Sequence, residues 1–166
     1  MTEVADVLFH HHKLVYALFD YYCVFGGGDE LFHISQTSFL AFANSVIPAN
    51  KPSQRISQKM HLLQAFVAVD NRPLDNGADC STVERYNKKH MLCRYEWLGV
   101  LVRIAISRYM DTGKMSDVSE SLERLFECDI IPRVPQEASH DADDFRAKVC
   151  YQWDVHDVLE AHLQVT

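Results

Sequence analysis

Two His-Asp dipeptides, His140-Asp141 and His156-Asp157, are the pairs in this sequence that come nearest to metal-assisted hydrolysis. That chemistry brings a His, a His-Asp dipeptide and a later Asp onto a divalent ion that activates water. The spacing disfavours it: Asp154 and Asp157 follow the first pair too closely, and no Asp follows the second. Zinc asks for His and Cys at short separation, and His90 with Cys93 offers such a gap, but with Cys80 or His61 added it is short of a structural set of four. His10, His11 and His12 are consecutive, so on a helix they point about 100° apart and are not expected to converge on one ion. Of the three, His11 falls on an apolar stripe, where a hydrogen-bonded core histidine is expected.

Nucleophilic catalysis has no foothold either, since no Gly-x-Ser-x-Gly elbow occurs. Five cysteines, Cys23, Cys80, Cys93, Cys128 and Cys150, are scattered without a Cys-x-x-Cys pair. They read as reduced small hydrophobes, four on apolar faces, with Cys80 in a polar loop as the thiol expected to react. Gly26-Gly27-Gly28 lacks the Lys-Ser or Lys-Thr of a phosphate cradle. The expectation is a chain without catalytic residues or a cofactor.

At 166 residues, with 48% hydrophobic and 23% charged side chains, the chain is long and apolar enough to bury a core. Sixteen basic against 23 acidic residues give a net charge of -7, which repels phosphate backbones, and the basic clusters Lys88-Lys89 and Arg103 with Arg108 are small. A nucleic-acid partner is therefore not expected. No run of about 18 apolar residues is present, and the start, MTEVADVLF, lacks the positive segment of a signal peptide. No membrane partner and a cytoplasmic location are the default expectations.

Helical periodicity organises the chain. Val4, Val7, Leu8, His11, Leu14, Val15, Leu18, Phe19 and Tyr22 predict one helix from Thr2 to Tyr22, stopped by the three glycines. Ser35 is the expected N-cap of a helix carrying Phe39, Phe42, Ala43, Val46 and Ile47, ended by Pro48 and Pro52. Ser53 or Ser57 opens the next, with Ile56, Met60, Leu63, Phe66, Val67 and Val69 as its buried stripe and Asp70-Asn71-Arg72-Pro73 as its end. The polar residues that follow, through His90, predict a long exposed loop.

Leu92 to Tyr109 is apolar on two flanks, Tyr95, Leu98, Val102, Ala105 and Tyr109 on one and Trp97, Leu101 and Ile104 on the other, so it must be covered on both and is the predicted central helix. Ser116 is expected to cap another helix with Val118, Leu122, Leu125 and Phe126 inward, broken by Pro132 and Pro135. Phe145, Val149, Trp153, Val158, Leu159 and Leu163 make a last helical stretch, divided near Asp154. Only Leu31 to Ile34 alternates, so sheet content should be very small.

Two places resemble the helix-loop-helix unit of the EF-hand family. LVYALFDYY followed by Ile34-Ser35-Gln36-Thr37-Ser38-Phe39 is similar to one unit. LLQAFVAVDN followed by Leu92-Cys93-Arg94-Tyr95-Glu96-Trp97-Leu98 is similar to a second, with Leu92 at the loop's hydrophobic eighth position, Glu96 at the twelfth and Trp97 opening the exiting helix. The resemblance implies short β-type pairing of Ile34 with Leu92 and an apolar groove flanked by the exiting helices.

Calcium needs six or more oxygen ligands with a bidentate Glu closing the loop. Counted back from Ile34, the first unit offers Gly27, Asp29, Leu31 and, at the bidentate position, Ser38, so one carboxylate stands where several are needed. In the second, Asp70 and Glu96 stand at the two ends, but twenty-five residues separate them where the motif has about ten. Asp75, Asn76, Gly77 and Asp79 lie within that insertion, out of register with Glu96. Glu96 is then expected to cap its helix or to pair with Arg94 or Arg103, and calcium through Asp70 to Glu96 is the alternative.

The chain is also similar to calmodulin-superfamily modules that have lost their ions and dock in cytoskeletal and ciliary or flagellar assemblies. Arg94 to Leu98 running into Leu101 to Ala105, and Asp144-Phe145-Arg146, carry that likeness. The expectation is an all-α chain of about seven helices, with an EF-hand-like pair over 1–111 and a helical extension over 112–166 packed on it. Its function would be to bind a protein partner, an amphipathic helix or apolar peptide, in a groove formed from Phe39, Phe42, Ile47, Met60, Trp97, Leu101 and Tyr109, unless the stretch around Trp153 and Leu159 fills it. Self-association is a further possibility. The enzyme alternative is an HD-like phosphohydrolase.

Overall fold

The computed structural model describes residues 2–25, 31–47, 55–70, 89–139 and 146–163. These residues are mostly helical, with a sheet of two short strands. The helices are α1 (Thr2–His10), α2 (His12–Val24), α3 (Gln36–Val46), α4 (Arg55–Asp70), α5 (Arg94–Ala105), α6 (Val118–Arg124) and α7 (Trp153–Leu163). The strands are β1 (Ile34–Ser35) and β2 (Met91–Leu92). They pair antiparallel with Ile34 opposite Leu92, the register expected from the loops.

Each strand leads directly into a capped helix. Ser35 Oγ accepts the Ser38 N–H at 3.1 Å at the start of α3, as expected. Glu96 Oε2 accepts the Cys93 N–H at 3.0 Å at the start of α5, completing a capping box. Capping, one of the two roles expected for Glu96, is thus fulfilled, and the residue is buried. For α6 the cap is Asp117, whose carboxylate accepts the Glu120 N–H at 2.9 Å, and not the expected Ser116.

The central helix is covered on both sides, by α4 and by α6, and also meets α2. Trp97, Val100, Leu101, Ile104 and Ala105 are buried along it, and a π-helical segment, Ile106–Met110, extends it to Tyr109. Arg94 reaches from its start to Asp20 on α2 at 3.1 Å, an exposed pair that contributes little. The π-helical Leu125–Ile130, the short 3-10 turns after it and α6 bury Leu122, Leu125, Phe126, Ile130 and Ala138 in the same core. Residues 118–139 therefore pack on the earlier helices. In contrast, residues 146–162 are exposed throughout.

Three expectations about helices need correction. The first helix is interrupted at His11, whose backbone (φ -95°, ψ 13°) leaves the helical region. On α4 the buried stripe is Leu62, Ala65, Phe66 and Val69, while Ile56, Met60 and Val67 are exposed. This helix is apolar on two faces, and the face presented to α3 and α5 is the one that is covered. The last stretch divides earlier than Asp154, with a π-helical segment at Arg146–Cys150 and α7 starting at Trp153.

The thiols also divide differently from the expectation. Cys23 is buried and Cys93 partly so, whereas Cys128 and Cys150 are exposed; Cys80 lies outside the described residues. Burial pushes the Cys23 thiol up to about 12, with Asp20 adding to it, and burial pushes Cys93 up to about 11. Such shifts cut the reactive thiolate by roughly a hundredfold or more at neutral pH. A disulfide reagent applied to the native chain is therefore expected to label Cys128 and Cys150 in the fast phase. Cys23 and Cys93 should react only after denaturation, and peptide mapping by mass spectrometry that finds Cys23 labelled early would contradict this burial.

Candidate functional site

Most residues expected to line a groove are interior packing. Phe39, Phe42, Trp97, Leu101 and Tyr109 are buried in the core where their helices converge, and Ile47, also buried, reaches the floor of the cleft described below. Trp97 meets Phe42 edge-on at 4.7 Å between ring centroids and donates its indole N–H to the Val15 carbonyl at 3.2 Å. Met60 is the exception, 53% exposed on the outer face of α4. Trp153 (80% exposed) and Leu159 (58%) do not fill any interior groove.

A concave site lies one layer out, between α4 and the C-terminal end of the central helix. It is a cleft of about 360 Å³. Its floor is apolar, from Ile47, Leu62, Ala65 and Ile104. Its rim is polar: Ser57, Gln58 and His61 come from α4, and Ser107, Arg108, Asp111 and Thr112 come from the far wall. Gln58 Nε2 donates to the Ile47 carbonyl at 2.7 Å, tying α4 to the end of α3 at one margin. An apolar floor of a few side chains within a polar rim suits a small cluster of apolar groups presented by an otherwise polar ligand.

One wall of the cleft is anchored by a buried ionic network. Arg108 Nε and Nη2 donate to the two Asp129 oxygens at 2.6 and 2.9 Å, and Tyr109 donates its hydroxyl to Oδ2 at 2.6 Å. Arg133 approaches the same carboxylate at 3.6 Å. Burial opposes the Arg108 charge, but the Asp129 carboxylate overrides it and raises the pKa. The Tyr109 phenol is pushed up to about 12 by burial, with the Asp129 hydrogen bond adding to it.

The residues considered for cation binding are committed to the fold. Asp70 Oδ1 accepts the His90 backbone N–H at 2.9 Å and Oδ2 lies 3.8 Å from the His90 ring, so it closes the long connection onto β2. Glu96 caps its helix as described above. In the first unit, Ser38 stands at the matching position and donates its hydroxyl to the Phe25 carbonyl at 3.1 Å. Asp75 and Asp79 lie outside the described residues, as do His140 and Asp141. His156 and Asp157 are exposed on α7, with Glu160 3.8 Å from the His156 ring one turn on. Among the described residues, no cluster of three metal-ligand types includes His90 and Cys93.

The rim was not anticipated from the sequence. A partial signal was present: Ser57 with His61, and Ser107 with Asp111, are polar pairs four apart, so each pair lies along one face. Which faces oppose one another is a tertiary fact. Comparison with protein-family models, with curated proteins and with solved structures finds no match.

Proposed function

We propose that this chain is a non-catalytic docking module built on two degenerate, ion-free EF-hand-like units, and that the α4–α5 cleft takes an amphipathic helix or apolar peptide of another protein. The observation that carries the reading is the paired register. Ile34 lies opposite Leu92, each is followed at once by an N-cap residue, and at the third helical position Ser38 and Glu96 make local hydrogen bonds. At the position where a calcium-binding loop spends its bidentate carboxylate, Ser38 thus bonds across the first loop to Phe25, while Glu96 caps its own helix and Asp70 ties the second connection to His90. The exposed apolar residues of α4 (Ile56, Met60, Val67) and of the last helix (Trp153, Val158, Leu159) add contact surface for a partner. A cytoskeletal, ciliary or flagellar assembly is the setting that the resemblance suggests.

The second reading, a calcium sensor using Asp70 and Glu96, is separated by calorimetry. No heat of binding is expected for Ca²⁺ or Mg²⁺ at micromolar concentration, and tight calcium binding that is lost in Glu96→Gln would replace docking with sensing. Docking itself is tested by capture from an extract with wild type and with His61→Glu combined with Ser107→Glu. Both substitutions put charge at the rim without touching the core, so the thermal midpoint should stay within about 2 °C. A specific partner should lose at least tenfold in recovery, and recovery indifferent to the rim would remove the cleft from the proposal.

A further inference from the structure

We propose that His10, His11 and Glu123 form a transition-metal site, of the class that takes zinc, clamping the first helix to α6. Their ligand atoms all lie within 4.8 Å of one another, although His10 and His11 come from near the start of the chain and Glu123 from α6. Convergence of two adjacent histidines is not available on a regular helix. The break at His11 supplies it, bringing the two rings edge-on at 4.8 Å between centroids.

His11 is the fixed member. Its ring stacks on buried Phe126 at 4.4 Å and 23°, and its Nε2 lies 3.1 Å from Glu123 Oε1. Ligands of a tetrahedral zinc ion bound at 2.0 to 2.1 Å are about 3.4 Å apart, so this pair is already near metal spacing. His10 is exposed, and a small rotation of its ring closes the remaining distance. The donor set selects the ion. Two imidazoles and one carboxylate suit zinc, cobalt, nickel or copper, whereas calcium and magnesium require a cage of oxygens. Three protein ligands leave a fourth position for water.

His12 provides an internal control. Its Nδ1 lies 2.6 Å from the Phe9 carbonyl and its ring stacks on Phe9 at 5.2 Å, so it is held away from the cluster. If instead the run of histidines bound metal as a flexible tract, His12 would count as much as His10.

The test is titration of the full chain with Zn²⁺ by calorimetry and with Co²⁺ by visible absorbance, with thermal melts to verify folding. One equivalent is expected to bind, to raise the melting midpoint and to give the intense absorption of four-coordinate cobalt. Glu123→Gln keeps a hydrogen-bonding group for His11 but removes the charged ligand, and with His10→Ala it should weaken zinc by at least about tenfold. His12→Ala should leave the affinity unchanged. Absence of binding, binding that survives Glu123→Gln, or equal loss in His12→Ala would each overturn the site.

Discussion

Asp129→Ala is expected to lower the unfolding free energy by about 3 to 5 kcal/mol, the range for removing one partner of a buried ion pair. The side chains of Asp129 and Arg108 are only 6% and 14% exposed, so water cannot replace the lost partner. The substitution leaves a guanidinium that donated two hydrogen bonds and a buried Tyr109 hydroxyl without their common acceptor. At this chain length that corresponds to a fall in melting midpoint of roughly 10 °C.

Companion variants separate the charge from the shape. Asp129→Asn keeps the volume and part of the hydrogen bonding and should cost less. Replacing the pair together, Asp129→Leu with Arg108→Met, should recover much of the loss, because the uncompensated charge is then gone. Urea denaturation of the four chains measures all three differences. A loss below about 1 kcal/mol for Asp129→Ala would mean that the network is hydrated and does not anchor the cleft wall.

Trp97→Ala is expected to cost a similar 3 to 5 kcal/mol, through a different mechanism. Trp97 is 1% exposed where α5 crosses α2 and α3, so its removal opens a large cavity between them. Trp97→Phe refills much of that volume but leaves the indole's hydrogen bond to Val15 unmade, and should cost about 1 to 2 kcal/mol. Denaturation followed by far-UV circular dichroism reads both. A nearly neutral Trp97→Ala would return Trp97 to the groove lining that its position in the sequence suggested. Because the substitution damages folding, loss of partner binding in Trp97→Ala says nothing about the cleft, whereas the rim variants do.

Local pattern was a sound guide where the physics is local. The N-cap at Ser35 was legible because a hydroxyl ahead of an apolar-periodic run satisfies orphan amide groups within three residues of itself. The opposition of Ile34 and Leu92 was reached through the resemblance to a helix-loop-helix pair and not through local pattern, since the two residues come from distant segments. Capping by Glu96 followed from its place in the first turn.

The same pattern failed wherever a choice depended on a distant partner. On α4, two apolar stripes compete, and the sequence contains both Ile56, Met60 and Val67 and Leu62, Ala65 and Val69 at helical spacing. Asp129 carries no mark of its role in the chain, because Arg108 and Tyr109, which give it that role, lie about twenty residues upstream. His11 held its apolar stripe on paper, yet its ring is oriented by Glu123 and Phe126, more than a hundred residues away.

The amino-acid order by itself determined that the chain is helical and where most helices begin, since these follow from 3.6-residue periodicity and from capping bonds a few residues long. Tertiary structure alone decided which apolar faces are buried, that most of the expected groove residues are core, that a cleft opens between α4 and α5, and that His10, His11 and Glu123 come together. The reason is that burial and convergence are set by the relative placement of helices far apart in the chain, and a helix with two apolar faces is compatible with either being covered.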